Sequence, residues 1–223
     1  MEIKLNQVTL FYTQQGHGQP LVLLHGNGED HSIFNDLITL LAKDYTVYAL
    51  DARDHGQSQH DVPISYQLMA DDVMAFAKAL DLQGLALVGF SDGAIVAMLV
   101  ASQQPQLVHK VVLAGGNMTP TGVKRVSRVA MRLDFWRTRD PRLAMMLDEP
   151  HITPGDLRRI SAQAFVLAGE KDVIRKSETI AIASAIPTSI LRIVPGATHS
   201  SYVKDNQQFY HYTRAFLVPF RSE

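Results

Sequence analysis

Ser91, Asp172 and His199 are the residues of this chain whose types and order permit nucleophilic chemistry. A serine hydroxyl is a weak nucleophile at neutral pH. It needs a histidine to take its proton, and that histidine needs a carboxylate to hold its tautomer and stabilise its charged form. Ser91 stands in Gly89-Phe90-Ser91-Asp92-Gly93, preceded directly by an apolar run at 85–88 and followed without a loop by a helical pattern over 94–101. A strand, a sharp turn and a helix in immediate succession hold such a serine in strained geometry with its hydroxyl above the sheet edge, and flanking glycines allow the close packing this requires. The helix aims its first amides at the same place, so the Asp92 backbone N–H is available to an oxyanion. The pentapeptide alone recurs by chance in roughly one chain in fifteen of this length, so its flanks carry the inference.

The acid and the base are chosen by position. Gly169-Glu170-Lys171-Asp172 follows one apolar run and Pro195-Gly196-Ala197-Thr198-His199 follows the next, so each group sits in a loop just past a strand. Glu170 is the local rival to Asp172, which is preferred because it follows the turn and precedes the apolar Val173-Ile174. The loop after the strand at 111–114 is a second place for an acid, but Asn117 stands there and an amide cannot do a carboxylate's electrostatic work. Of the nine histidines only His199 falls shortly after the last strand. His25 and His55 are read as packing within their loops, and His17, His31, His60, His109, His151 and His211 are assigned no chemistry. No pair has the spacing of a metal site, so neither a metal nor a cofactor is expected.

Positioning these groups takes a sheet. Residues 2–13 suit two short antiparallel strands; 21–24, 45–50, 85–88, 111–114, 165–168 and 190–194 are further strands, and helical patterns fall at 32–42, 66–80, 94–101, 177–185 and 206–217. Asp30 or Ser32 is the expected cap of the first helix. Strands alternating with helices call for a parallel sheet covered on both faces, with ligands at the carboxyl ends of its strands. Between 117 and 163 the rhythm stops. Val123, Val126, Val129, Ala130 and Leu133 recur at helical spacing, and Pro141, Pro150 and Pro154 divide the rest of the segment into short pieces. The basic residues Lys124, Arg125, Arg128, Arg132, Arg137, Arg139, Arg142, Arg158 and Arg159 outnumber the acids there. This segment is read as a small helical cap over the rim; an ordinary solvated helix with its charges outward accounts for the arginines equally well. Met131, Phe135, Trp136, Met145 and Met146 are candidates for an acyl pocket, or simply core. The expected fold is therefore α/β: a mostly parallel central sheet with helices on both faces, in one domain spanning 1–223 with a cap inserted at about 117–163.

Composition sets bounds. With 223 residues, 46% hydrophobic and 19% charged, the chain suits one globular domain. A net charge of −1 and the lack of a long basic run give no footprint for nucleic acid or a membrane surface. With no cysteine there are no disulfides, thiolate metal sites or cysteine nucleophiles, and a reducing compartment fits. The N-terminal residues lack a signal-like apolar region and no apolar run is long enough to span a bilayer, so the expected location is cytoplasmic.

His25-Gly26-Asn27-Gly28, the loop at 51–58, the turn at 89–93, Gly169-Glu170-Lys171-Asp172 and Gly196-Ala197-Thr198-His199 together resemble the α/β-hydrolase superfamily over nearly the whole chain outside the cap. The resemblance implies a catalytic triad of Ser91, Asp172 and His199, with the backbone amides of Asn27 and Asp92 as the oxyanion hole. One departure is Asp54, where many relatives have glycine. The turn, with aspartate after the serine, is similar to that of valacyclovir-hydrolase-like members, which cleave amino-acid esters and use that residue to recognise the substrate's amino group. A carboxylate about 6 Å from an oxyanion opposes it by roughly 2 to 3 kcal/mol at an effective dielectric near 20. Asp92 therefore either turns away and favours the helix N-terminus, or meets a cationic substrate. The expected activity is hydrolysis of small carboxylic esters. Carbon–carbon or thioester cleavage on the same triad, and a binding or sensing role with little turnover, stand as alternatives, while Ser91 argues against the dehalogenases and epoxide hydrolases that use an aspartate nucleophile.

Overall fold

Apolar runs bounded by glycine-rich loops become the centre of a sheet. In the computed structural model, which describes residues 1–217, the strands are β1 (Glu2–Leu5), β2 (Val8–Gly16), β3 (Gln19–Leu24), β4 (Tyr45–Leu50), β5 (Leu85–Phe90), β6 (Val108–Ala114), β7 (Gln163–Gly169) and β8 (Ser189–Val194). The last six residues of the expected domain, 218–223, lie outside the described residues. The strand order is β1-β2-β4-β3-β5-β6-β7-β8. β1/β2 and β2/β4 pair antiparallel, and every other neighbour is parallel. β5 is buried at all its positions, as a parallel strand covered on both faces must be.

Helices cover both faces. On one face α2 (Tyr66–Ala79), α3 (Asp92–Gln103) and α7 (Lys176–Ala185) pack Met69, Phe76, Ile95 and Ile182 around Val22 and Leu87. On the other, the turn before α1 (Asn35–Leu41), α1 itself, α8 (Ser201–Lys204) and α9 (Asn206–Leu217) pack Phe34, Leu37, Tyr202 and Phe209 around Leu21, Leu23 and Val88. Neighbouring strand residues thus serve opposite cores, as the two-residue period requires. Asp30 accepts the Ser32 amide at 2.8 Å and caps the short 3-10 turn before α1. Ser65 caps α2. A buried bidentate pair, with Arg53 Nε and Nη2 each 2.7 Å from an Asp72 oxygen, joins the loop after β4 to α2.

The connection from β6 to β7 carries α4 (Arg125–Thr138), α5 (Pro141–Asp148) and α6 (Pro154–Leu157). Pro141 and Pro154 open helices rather than break them: each occupies a first helical position, where the missing N–H has no partner to lose, behind the caps Asp140 and Thr153. Asp54 sits at φ 61°, in the left-handed region that favours glycine, and its carboxylate accepts the Asp61 amide. Among the described residues no helix is long and apolar enough to cross a membrane.

Candidate active site

The loops after β3, β5, β7 and β8 converge on one rim. The connection from β3 runs to β4 on one side, and the next, from β4 through α2, crosses back to β5 on the other, so Asn27 and Ser91 lie at the switch point of the sheet. Ser91 holds φ 53° and ψ −115°, sparsely populated values for a residue with a side chain. Packing enforces them. A Cβ at Gly89 would lie 2.2 Å from the Gly93 carbonyl oxygen, and one at Gly93 would lie 2.0 Å from that of Leu24.

The structure brings Ser91, His199 and Asp172 into one hydrogen-bonded line. Ser91 Oγ is 3.0 Å from His199 Nε2, and His199 Nδ1 is 2.7 Å from Asp172 Oδ1. Asp172 is 2% exposed, and its carboxylate also accepts the amides of Ile174 at 2.8 Å and Gly169 at 3.2 Å. The imidazole lies against Gly115, where a Cβ would come within 2.9 Å of Cε1, and its centroid is 5.1 Å from that of Phe90. Glu170 is occupied elsewhere, accepting the Gly196 amide and so bracing the loop that carries His199. Asn117 donates to the Thr119 carbonyl.

Asp92 turns inward. It is 1% exposed; Tyr66 Oη donates to its Oδ1 at 2.8 Å and Asn27 Nδ2 to its Oδ2 at 3.2 Å. Burial raises its pKa, opposed by those two hydrogen bonds, and burial together with Asp92 pushes the Tyr66 phenol well above its ordinary value. The side-chain link joins the peptides of residues 27 and 92, and among the described residues neither of their backbone N–H groups meets an acceptor. Tyr66 was not legible as part of the site, because nothing in spacing pairs the start of α2 with residue 92.

A cleft of about 390 Å³ opens above Ser91, lined by Asn27, Phe90 and His199 below and by Met131, Leu143 and Met146 from α4 and α5. Glu29 and Lys204 stand at its side, 3.6 Å apart. Of the apolar pocket candidates, Met131 and Met146 line this cleft, whereas Met145 packs into the core, Phe135 is half-buried under Arg139, and Trp136 is 73% exposed. His25 is a satisfied core residue: one ring nitrogen contacts the Gly26 carbonyl, the other accepts the Ala52 amide, and burial lowers its pKa to about 4. Among the described residues the one group of potential metal ligands is Asp30, His31 and Asp51, whose contacts are accounted for by hydrogen bonding: His31 meets Asp51 at 2.7 Å and Asp30 caps a turn.

A strand-turn-helix serine at the switch point of such a sheet defines a class, and comparison with known proteins agrees. The family model described as alpha/beta hydrolase fold matches residues 19–145, and the chain belongs to that family. The chain is similar to the human serine hydrolase BPHL, 28% identical over 97% of this chain and 85% of that protein. It is 39% identical to the sn-1-specific diacylglycerol lipase ABHD11 of Xenopus laevis over 47% of this chain, a match spanning 34% of that lipase. The solved esterase EaEST of Exiguobacterium antarcticum superposes with a TM-score of 0.84 over 96% of this chain and 98% of its own, at 19% identity, a likeness of fold.

Proposed function

We propose that this protein is a serine hydrolase that cleaves small carboxylic esters through an acyl-enzyme intermediate. The observation that carries the reading is the line Ser91–His199–Asp172, at 3.0 and 2.7 Å. His199 Nε2 takes the Ser91 proton as Oγ attacks the ester carbonyl. Asp172, itself held by two amides, keeps the proton on Nδ1 and balances the imidazolium. The N–H groups of Asn27 and Asp92 receive the oxyanion. Collapse of the tetrahedral adduct expels the alcohol, which takes its proton from His199. Water, activated by the same imidazole, then releases the acid and restores Ser91. Each step uses side chains, backbone amides and water alone.

In this reading 117–163 is the cap, with Met131, Leu143 and Met146 as the apolar wall against which a small acyl or alcohol group rests. The relatives named hydrolase and lipase support ester chemistry. The cysteine-free composition supports a cytoplasmic location.

The test is hydrolysis of p-nitrophenyl acetate, butyrate and laurate by the wild type and by Ser91→Ala. The expected result is turnover of the short esters and a loss of several orders of magnitude in kcat on removing the hydroxyl. Equal rates in both proteins would sink the ester reading. Thioester or carbon–carbon cleavage, or a binding role, would then take its place.

A further inference from the structure

The proposed chemistry uses only the inner face of α4; its outer face has a pattern of its own. α4 has no buried residue. At 3.6 residues per turn its apolar side chains fall in two opposed sectors. Met131 and Phe135 point inward, half-buried, Met131 against the cleft. Val126, Val129, Leu133 and Trp136, at steps of three and four, face away and are 82%, 47%, 66% and 73% exposed. They are four of the eight exposed large hydrophobic residues among the described ones. Helical geometry sets Arg125 and Arg132 along one border of this stripe and Arg137 along the other. Asp134, the helix's single acid, pairs with Arg137 at 2.8 Å, and Arg125 and Arg132 form no ion pair among the described residues.

An apolar stripe flanked on one side by two arginines without an ion pair, and on the other by Arg137, selects its partner. A second copy of the chain would set like charges against each other across the stripe. A nucleic acid would satisfy the arginines and leave the stripe wet. An anionic phospholipid surface takes both features, with valine, leucine and tryptophan at the acyl boundary and guanidinium groups on phosphate. We infer that the outer face of α4 docks the protein on an anionic phospholipid bilayer. The inference stands on exposure and charge and does not rest on the chemistry of Ser91. Docking sets the roof of the cleft against the lipid.

Trp136 is the chain's single tryptophan, so its fluorescence reads this face directly. The full-length protein is mixed with vesicles of phosphatidylcholine alone and of phosphatidylcholine with phosphatidylglycerol. The expected result is a blue shift and co-sedimentation with the anionic vesicles only, weakened by salt. Leu133→Glu abolishes the shift while keeping the helical circular dichroism and short-ester turnover of the wild type. Arg125→Glu with Arg132→Glu lowers partitioning by more than tenfold. Ser91→Ala binds as the wild type does, which separates this inference from the hydrolase reading. An unchanged spectrum with both vesicles, or an equal shift with phosphatidylcholine alone, overturns the proposal. A shift that grows with protein concentration without vesicles also overturns it and assigns the stripe to a second copy.

Discussion

Asp92 carries a carboxyl that no substrate cation can reach without displacing Tyr66 or Asn27, since both of its oxygens are engaged and it is 1% exposed. Its geometry fits a strut between the peptides of residues 27 and 92, the proposed oxyanion donors. Asp92→Asn is therefore expected to lower kcat/KM for an alanyl ester and for the matching propionyl ester by the same factor, about tenfold. A loss confined to the alanyl ester would restore the cation-binding role. His25 makes a prediction about acidity. Its pKa falls from 6.5 unfolded to about 4 folded, so the unfolded chain binds the proton first. The resulting stability, about 3 kcal/mol, is present above pH 6.5 and is lost as pH falls toward 4. Urea unfolding of the wild type and His25→Gln should show a gap that narrows over that range, while a constant gap would mean that His25 does not titrate with folding.

At the scale of elements, β5 and α3 are locked by contacts between backbones. Gly93→Ala would set a methyl 2.0 Å from the Leu24 oxygen, with no side chain able to give way, and is expected to cost at least about 3 kcal/mol, visible as a lowered urea midpoint or a failure to fold. Asp72→Asn, which leaves Arg53 buried without its charge partner, should cost about 3 to 5 kcal/mol. The strands and most helices were legible because their apolar periods are long and clean; their ends were not, since β6 begins at Val108 and β7 at Gln163, where polar residues continue the ladder. Pro141 and Pro154 read as breaks and proved to be helix starts, because proline removes an N–H that a first turn does not use. In α4 the period was legible and its direction was not. Val126, Val129 and Leu133 have the spacing of a core face, but Met131 and Phe135 occupy the inward sector and leave the other in water. A charge count along the chain therefore gave no surface patch, because the patch exists only once the helix forms.

For the molecule as a whole, anchoring differs sharply between layers. α3 buries ten of its residues and α4 none. Native-state hydrogen exchange should accordingly show α3 amides opening only with global unfolding and α4 amides exchanging orders of magnitude faster; equal protection would mean that α4 is held by contacts beyond those described. The meeting of Ser91, Asp172 and His199 was foreseeable because each loop lies at the same end of a parallel strand. The strand order that sets Asn27 beside Ser91 was not, since no local pattern records which strands adjoin. The roof of the cleft comes from the single connection between β6 and β7, which are neighbours in the sheet, while the turn bearing Ser91 is built from β3, β5 and α3. Floor and roof are thus separate stretches of chain. The insertion is nonetheless tied to the floor at its start, where Val123 bridges Ile174 and the Lys124 amide donates to the Val173 carbonyl, two and one residues past Asp172, so a change in the roof is felt first at the acid.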